Sequence, residues 1–386
     1  MPPLVAGNAP SMLAKEALTA GVRIYRARAA RRWPIQQLFG TPQIFSESRL
    51  VIDIEQNLRK IGKFRSGPAE GLPSQLTQDT QKKVRSLYQA GIIHLPSDWL
   101  QTTRDILAME PSQRPLTLLE LLAKNNAMLG NRVADEVDKQ LRTYEKLCID
   151  TLCNSSFTVN VDGVDVTVDI WGQTVYDAAA SWATAGTAIL PEWEGWKDTH
   201  RKKAEGDADI VIIPSSFHAD YISGNDDMIA FYQRNPELAQ LFEGLPDIIR
   251  NEPIGINRPR VMKYDKQYTD PDDGQVYDLW PADKMVWITL SEDEKENMAE
   301  TEQPVFPLQG DIDLSTVDDT ALFGSMGRRT LAQASVRTED DDYNGGSFAR
   351  KIVLENPRRT CVRVTHNGIP CLPNVTKISV FNLLGA

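Results

Sequence analysis

Residues 117–170 read TLLELLAKNNAMLGNRVADEVDKQLRTYEKLCIDTLCNSSFTVNVDGVDVTVDI, and this stretch decides the architecture. Its opening, Thr117-Leu118-Leu119-Glu120, has the form of a capping box, with Leu116 and Leu121 placed as a hydrophobic staple. Apolar residues then return at Leu122, Leu129, Val133, Val137, Leu141, Tyr144, Cys148 and Leu152. Steps of three, four or seven keep one helix face buried. Some 35 residues at a rise of 1.5 Å predict a beam of roughly 50 Å, longer than the usual globular helix. Past it, Phe157, Val159 and Val161 lead into Asp162-Gly163 and out through Val164, Val166, Val168 and Ile170. Asp-Gly between alternating apolar runs is a strong hairpin signal.

The whole chain has 386 residues, enough for two or three compact regions. Hydrophobic content of 41% and charge content of 25% are ordinary for a folded soluble protein. No stretch approaches the roughly 18–20 apolar residues of a membrane span, so no membrane partner is expected. Residues 1–10 lack the charged region and apolar run of a secretory signal, which points to synthesis in a cytoplasm. Cys148, Cys153, Cys361 and Cys371 form no C-x-x-C pair, and His94, His200, His218 and His366 are scattered. That spacing fits no structural zinc pattern, and reduced, mostly buried thiols are expected. The net charge of −11 argues against a dedicated nucleic-acid binder. An acidic wall can still surround DNA without gripping it, because like charge repels phosphate.

Upstream of the beam, residues 11–33 carry Lys15, Arg23, Arg26, Arg28, Arg31 and Arg32 against Glu16 alone. Leu18, Val22, Tyr25 and Ala29 recur at helical spacing, and Pro34 is expected to end the helix. Two readings stand: a solvated surface helix, or an arm docking on an acidic partner or nucleic acid. Residues 48–56 alternate Leu50, Ile52 and Ile54 with Val51, Asp53 and Glu55, as a strand does. Lys60, Lys63 and Arg65 follow, then a Gly- and Pro-rich tip over 66–73 and a polar return to Lys83. So long a loop is usually functional or disordered. With no nucleophile–base pair and no phosphate-cradling glycines, it reads as an interaction loop. An amide cross-link from Lys60 or Lys63 would need a buried lysine and a carboxyl catalyst. The sequence shows neither, and solvated lysines that discourage edge pairing are the better reading.

Downstream, the pattern turns α/β. Residues 209–213, closed by Pro214, predict a buried strand; 215–241 read as helical with breaks near Gly224 and Pro236. Residues 261–264, the Asp270–Gly274 turn and 276–280 predict a second hairpin, 285–290 another strand, and 291–302 an acidic helix or loop. Near the end, 348–354, 361–365 and 377–381 are strand candidates. Ser215, Ser216, His218 and Asp220 cluster, but within six residues of one helix they cannot form a hydrolytic relay, and no G-x-S-x-G elbow is present. Asp270, Asp272, Asp273 and Gly274 suggest a calcium loop, yet the position that needs a bidentate Glu is Pro281. A hairpin turn is the simpler reading. The run Glu339-Asp340-Asp341-Asp342 reads as a solvated loop. No nucleotide-binding glycine motif occurs. No catalytic residue, cofactor or metal site is therefore assigned.

The order of elements is basic arm, extended loop, long helix, hairpin, α/β region and return strands. It resembles the Hong Kong 97 phage capsid fold, an α+β architecture, and more narrowly the lambda-type major capsid family (capsid protein E). The likeness is carried by 39–50, 121–170, Glu192-Trp193 with 207–217, 261–265 through 281–285, 350–354, 370–373 and 380–383; residues 292–337 stand outside it. The resemblance implies an N-terminal arm over 1–46 and an extended loop over 47–97. It implies a peripheral domain from 98–176 with 335–372, and an axial domain from 177–334 with 373–386. It further implies a structural protein, not an enzyme, building pentamers and hexamers of an icosahedral shell around double-stranded DNA. A scaffold, a portal and a decoration protein would be partners. The protein would reside in the virion, after assembly in the host cytoplasm. Assembly contacts are expected at Arg26, Arg28, Arg31, Arg32, Lys60, Lys63 and Arg65. The alternatives are an encapsulin-like compartment, a metal-dependent hydrolase using the Asp-rich turn, and a DNA-binding adaptor using the Arg-rich arm.

Overall fold

The periodic stripe forms one helix, Leu116–Asn154, of 39 residues, about 58 Å long at 1.5 Å per residue. It is the spine of a computed structural model that describes residues 15–29, 32–39, 42–45, 49–54, 80–85, 88–95, 116–154, 156–161, 164–169, 173–234, 260–270, 274–291, 331–336, 347–355 and 358–385. The helix begins one residue before Thr117, within the latitude of any helix boundary. Leu129, Val133, Val137, Leu141, Tyr144, Cys148 and Leu152 are all buried, as the stripe requires. Among the described residues no helix is long and apolar enough to cross a membrane.

Ahead of the spine, α3, lie α1 (Lys15–Ala29) and α2 (Pro34–Leu38). Pro34 ends α1's pattern but opens α2 as its first residue, where a missing N–H costs nothing. Leu18, Val22 and Ala29 of α1 are buried against the sheet and the spine, so this helix is part of the subunit's own core.

Behind the spine stands a five-stranded sheet in the order β7-β17-β12-β8-β9. Its strands are β7 (Val175–Asp177), β8 (Ile210–Pro214), β9 (Arg260–Tyr264), β12 (Lys284–Ile288) and β17 (Ile378–Asn382). Alternation sorts its side chains into two cores. Ile210, Ile212, Val286, Ile288, Ile378 and Val380 face the spine. Val211, Ile213, Met285, Trp287 and Phe381 face the other way, toward α4 (Ile189–Ala204). The register agrees: Val286 sits opposite Ile212 and Val380, and Trp287 opposite Val211 and Ser379. Burial on both faces explains the unbroken Ile210-Val211-Ile212-Ile213 run. In the second core Trp182 stacks on Trp196 at 4.8 Å, and Trp193 meets Trp287 at 4.5 Å. α5 (Asp226–Arg234) follows a π-helical turn at His218–Ile222.

The second hairpin differs from expectation. Residues 261–264 belong to β9, which runs parallel to β8 in the main sheet. The hairpin's first strand is instead β10 (Gln267–Thr269), paired with β11 (Val276–Asp278). The 261–264 run is drawn to the edge of the sheet by pairing with the buried β8 and by burial of Tyr264, a long-range demand that local turn signals do not carry.

Smaller sheets complete the fold. β14 (Ser347–Glu355) and β15 (Arg358–Asn367) form a long hairpin, and β15 also pairs with β4 (Tyr88–His94). Residues 88–94, read as part of the extended loop, are thus a sheet strand. β1 (Pro42–Phe45) runs parallel to β13 (Ala332–Val336), which pairs with β16 (Ile369–Cys371). β2 (Arg49–Ile54) and β3 (Thr80–Arg85) make an antiparallel ribbon, and β5 (Ser156–Val161) and β6 (Val164–Asp169) the expected hairpin. The tip 66–73, Lys60, Lys63, Arg65, Arg31, the run Glu339–Asp342 and most of 292–337 lie outside the described residues.

Candidate assembly surfaces

The basic arm splits into an inward and an outward half. Thr19 Oγ1 donates to Ala349 O at 3.1 Å and accepts its N–H at 3.3 Å, which pins α1 to β14. Arg26 turns inward, its Nη2 3.0 Å from His366 Nε2. Arginine can only donate, so His366 accepts at Nε2 and carries its proton on Nδ1. Burial lowers Arg26 to about 10, still cationic at neutrality. His366 in turn sets its ring edge-on to Tyr144 at 5.1 Å. Arg26 therefore serves the subunit's interior. Arg32 points outward, 69% exposed, and sits 3.8 Å from Asp138, a surface pair worth at most about 1 kcal/mol. Arg28 lies on α1 with its side chain outside the described residues.

Where the arm meets the spine, Glu145 ties three elements together. Its carboxyl accepts the N–H groups of Ile35 at 2.9 Å and Gln36 at 2.8 Å, at the start of α2, and the Tyr264 hydroxyl at 2.9 Å, from β9. Gln36 Nε2 donates to Leu141 O at 2.6 Å beside it. Burial pushes Glu145 up to about 7, against the downward pull of those donors. The sequence offered one signal for this residue: an acid lodged beside Tyr144 and Cys148 on the apolar stripe. Above the knot opens a cleft of about 600 Å³, lined by Arg32, Trp33, Asp138, Arg142, Asp265 and Lys266.

A second polar centre links α4 to the sheet. His200 Nδ1 lies 2.8 Å from Ser379 Oγ, and Nε2 lies 2.9 Å from Thr289 Oγ1. Thr289 gives its own proton to Asp207 O at 3.0 Å. His200 must then donate from Nε2 and accept from Ser379 at Nδ1. Burial first, with Lys203 adding to it, lowers His200 to about 4, so the ring is neutral. Ser379 and Thr289 are buried, which leaves no room for a substrate; the trio is a structural tie. Lys377 Nζ donates to Ala204 O at 2.7 Å at the end of α4, where a cation suits the helix terminus.

The tempting sequence clusters have simple places. Ser215, in the turn after β8, and Asp220, in the π-helical turn, are both exposed. Gly274, at φ 71°, donates its N–H to Asp270 O at 2.9 Å, closing the β10–β11 turn. Among the described residues no group of three His, Cys, Asp or Glu side chains could hold a metal. All four cysteines are buried and unpaired with one another.

No family model matches the chain. No curated protein matches it either. Solved structures do. A protein assigned as the capsid protein of a prophage of E. coli CFT073 aligns with TM-score 0.53 at 13% identity, over 95% of this chain and 98% of that one. A phage-related protein from Bordetella bronchiseptica RB50 aligns with TM-score 0.51 at 8% identity, over 94% and 97%. At such identities the likeness is one of fold, and the chain has the Hong Kong 97 phage capsid fold, an α+β architecture.

Proposed function

We propose that this chain is a major capsid protein, which assembles into the icosahedral head shell of a tailed, double-stranded DNA phage. The observation that carries the reading is the match of fold to a prophage capsid protein over 95% of this chain and 98% of that one. The lambda-type family is the narrower reading. In this scheme the subunit is a rigid tile. Residues 98–176 and 335–372 form the peripheral domain, 177–334 and 373–386 the axial domain, and 1–46 and 47–97 the arm and extended loop. Contacts between tiles are spread over many modest surfaces and close into pentamers and hexamers. Arg32, with Arg28, Arg31, Lys60, Lys63 and Arg65, supplies positive charge to those contacts. A scaffold and a portal take part in assembly in the host cytoplasm, a decoration protein coats the finished virion, and DNA is enclosed without being read. The acidic balance of the chain suits a container that does not grip phosphate.

The test is to express the protein alone and examine it by light scattering and negative-stain electron microscopy. Rings of five or six, tubes or closed shells are expected. A chain that stays monomeric at every concentration and salt, alone and with its neighbouring gene products, overturns the reading.

A further inference from the structure

Between α1, the spine and β15 lies a cation on which, among the described residues, no carboxylate acts. Arg26 reaches in from α1 until its Nη2 is 3.0 Å from His366 Nε2, and His366 stands edge-on to Tyr144 at 5.1 Å. Around them Tyr144, Cys148 and Cys371 are fully buried. Burial lowers Arg26 to about 10, and the side chains whose charge it senses are Tyr144 and Cys148. Burial raises both of those well above their ordinary values, so at neutrality both keep their protons and carry no charge. The guanidinium cannot escape in the same way, because it does not lose its proton in proteins. A desolvated cation is normally matched by an opposite charge.

Two polar atoms of the same cluster are also unmatched. Arg26 Nη1 and the Tyr144 hydroxyl are buried, and among the described residues neither has a hydrogen-bond partner. Buried donors are costly to leave unmade. The surroundings are tight: a Cβ at Gly368 would fall 3.0 Å from His366 Nε2 and 3.4 Å from Tyr144 Cε2, so the backbone between β15 and β16 closes directly on this pair. Two donors from two elements, one of them cationic, thus share a site walled by an aromatic ring and polarisable thiols. A water accepts from such donors but leaves the charge unmatched. Carboxylate and phosphate bring more bulk and more bound water than a closed site admits. One weakly hydrated atom of negative charge meets both needs.

We propose that Arg26 Nη1 and the Tyr144 hydroxyl bind a monovalent halide of chloride or bromide size inside the junction of α1, the spine and β15. The bound ion neutralises Arg26 and ties the arm to the spine, with one donor from each. It belongs to the folded chain alone, so halide stabilises the fold by mass action.

Anion exchange at constant ionic strength tests it. In urea unfolding of the full chain, replacing about 0.3 M sodium gluconate by sodium bromide should raise the folding equilibrium constant by about tenfold, along a curve that saturates. Chloride should act like bromide; fluoride, more tightly hydrated, should not. Tyr144→Phe keeps the ring and removes one donor, and should move half-saturation to about fivefold more halide. Arg26→Met should abolish the response. A parent equally stable in gluconate and bromide, a response that climbs without saturating, or one that Arg26→Met leaves intact overturns the proposal. A second measurement needs no variant. Crystals of the parent grown in bromide should give an anomalous peak at the bromine edge beside Arg26 Nη1 and the Tyr144 hydroxyl. Density there without anomalous signal, or no density, overturns the site.

Discussion

Glu145 and His200 pull stability in opposite directions with pH, and separating them tests both buried centres. Glu145 is raised to about 7 from an unfolded value of 4.5. The folded state holds its proton through that interval, so its contribution is full below pH 4.5 and lost as pH rises through 7. His200 is lowered to about 4 from 6.5. The unfolded state takes that proton first, so its contribution is full above pH 6.5 and lost as pH falls toward 4. Each shift spans two to three pH units, or roughly 3 kcal/mol at the extremes. Between pH 4.5 and 6.5 the two slopes cancel. Asp150, raised to about 6 by burial, adds to the Glu145 direction but drops out of differences between parent and variant. Glu145→Gln should therefore gain on the parent by about 1 kcal/mol per pH unit as pH rises from 4.5 to 6.5. His200→Asn should lose on it by a similar amount. Urea unfolding of the protein, followed by tryptophan fluorescence at four pH values across that range, gives both differences. Differences that stay flat with pH would mean that neither group is held as the geometry describes.

Three further outcomes are expected. Val137→Asp places a charge at a fully buried point of the spine and should cost more than about 4 kcal/mol, leaving an insoluble or unfolded subunit by circular dichroism. Arg26→Ala should cost about 1–3 kcal/mol in chemical denaturation, because it strips His366 of its donor, whereas Arg32→Ala should stay within about 1 kcal/mol of the parent. Glu205 ends α4 at φ 57°, so Glu205→Gly should raise subunit stability by about 0.5–1 kcal/mol in a thermal melt.

Local signals carried the long helix, the Asp162-Gly163 hairpin and the buried 210–213 strand, because each is written in residues three, four or two apart. Contacts between distant residues were not legible. Strands 88–94 and 358–367 pair across more than 260 positions, and the parallel β1–β13 pair joins 42–45 to 332–336. Nothing in either member specifies the other. The same holds for the polar ties: His200 and Ser379 are 179 residues apart, and Glu145 gathers donors from 109 to 119 residues away. A run of arginines likewise does not say which member turns inward. Arg26 does so because it lies one turn from the buried Val22 on α1, from where its guanidinium reaches His366 of β15, while Arg32 falls beyond the helix's end.

The place of β17 in the main sheet sets an order of events. It lies between β12 and β7, and its inward and outward residues close both hydrophobic cores. Until residue 382 has left the ribosome, the sheet has a gap at an interior position, and neither the spine nor the tryptophan cluster has its last wall. A nascent or truncated chain thus presents unfinished cores, and both close only once β17 has slid between two already waiting strands.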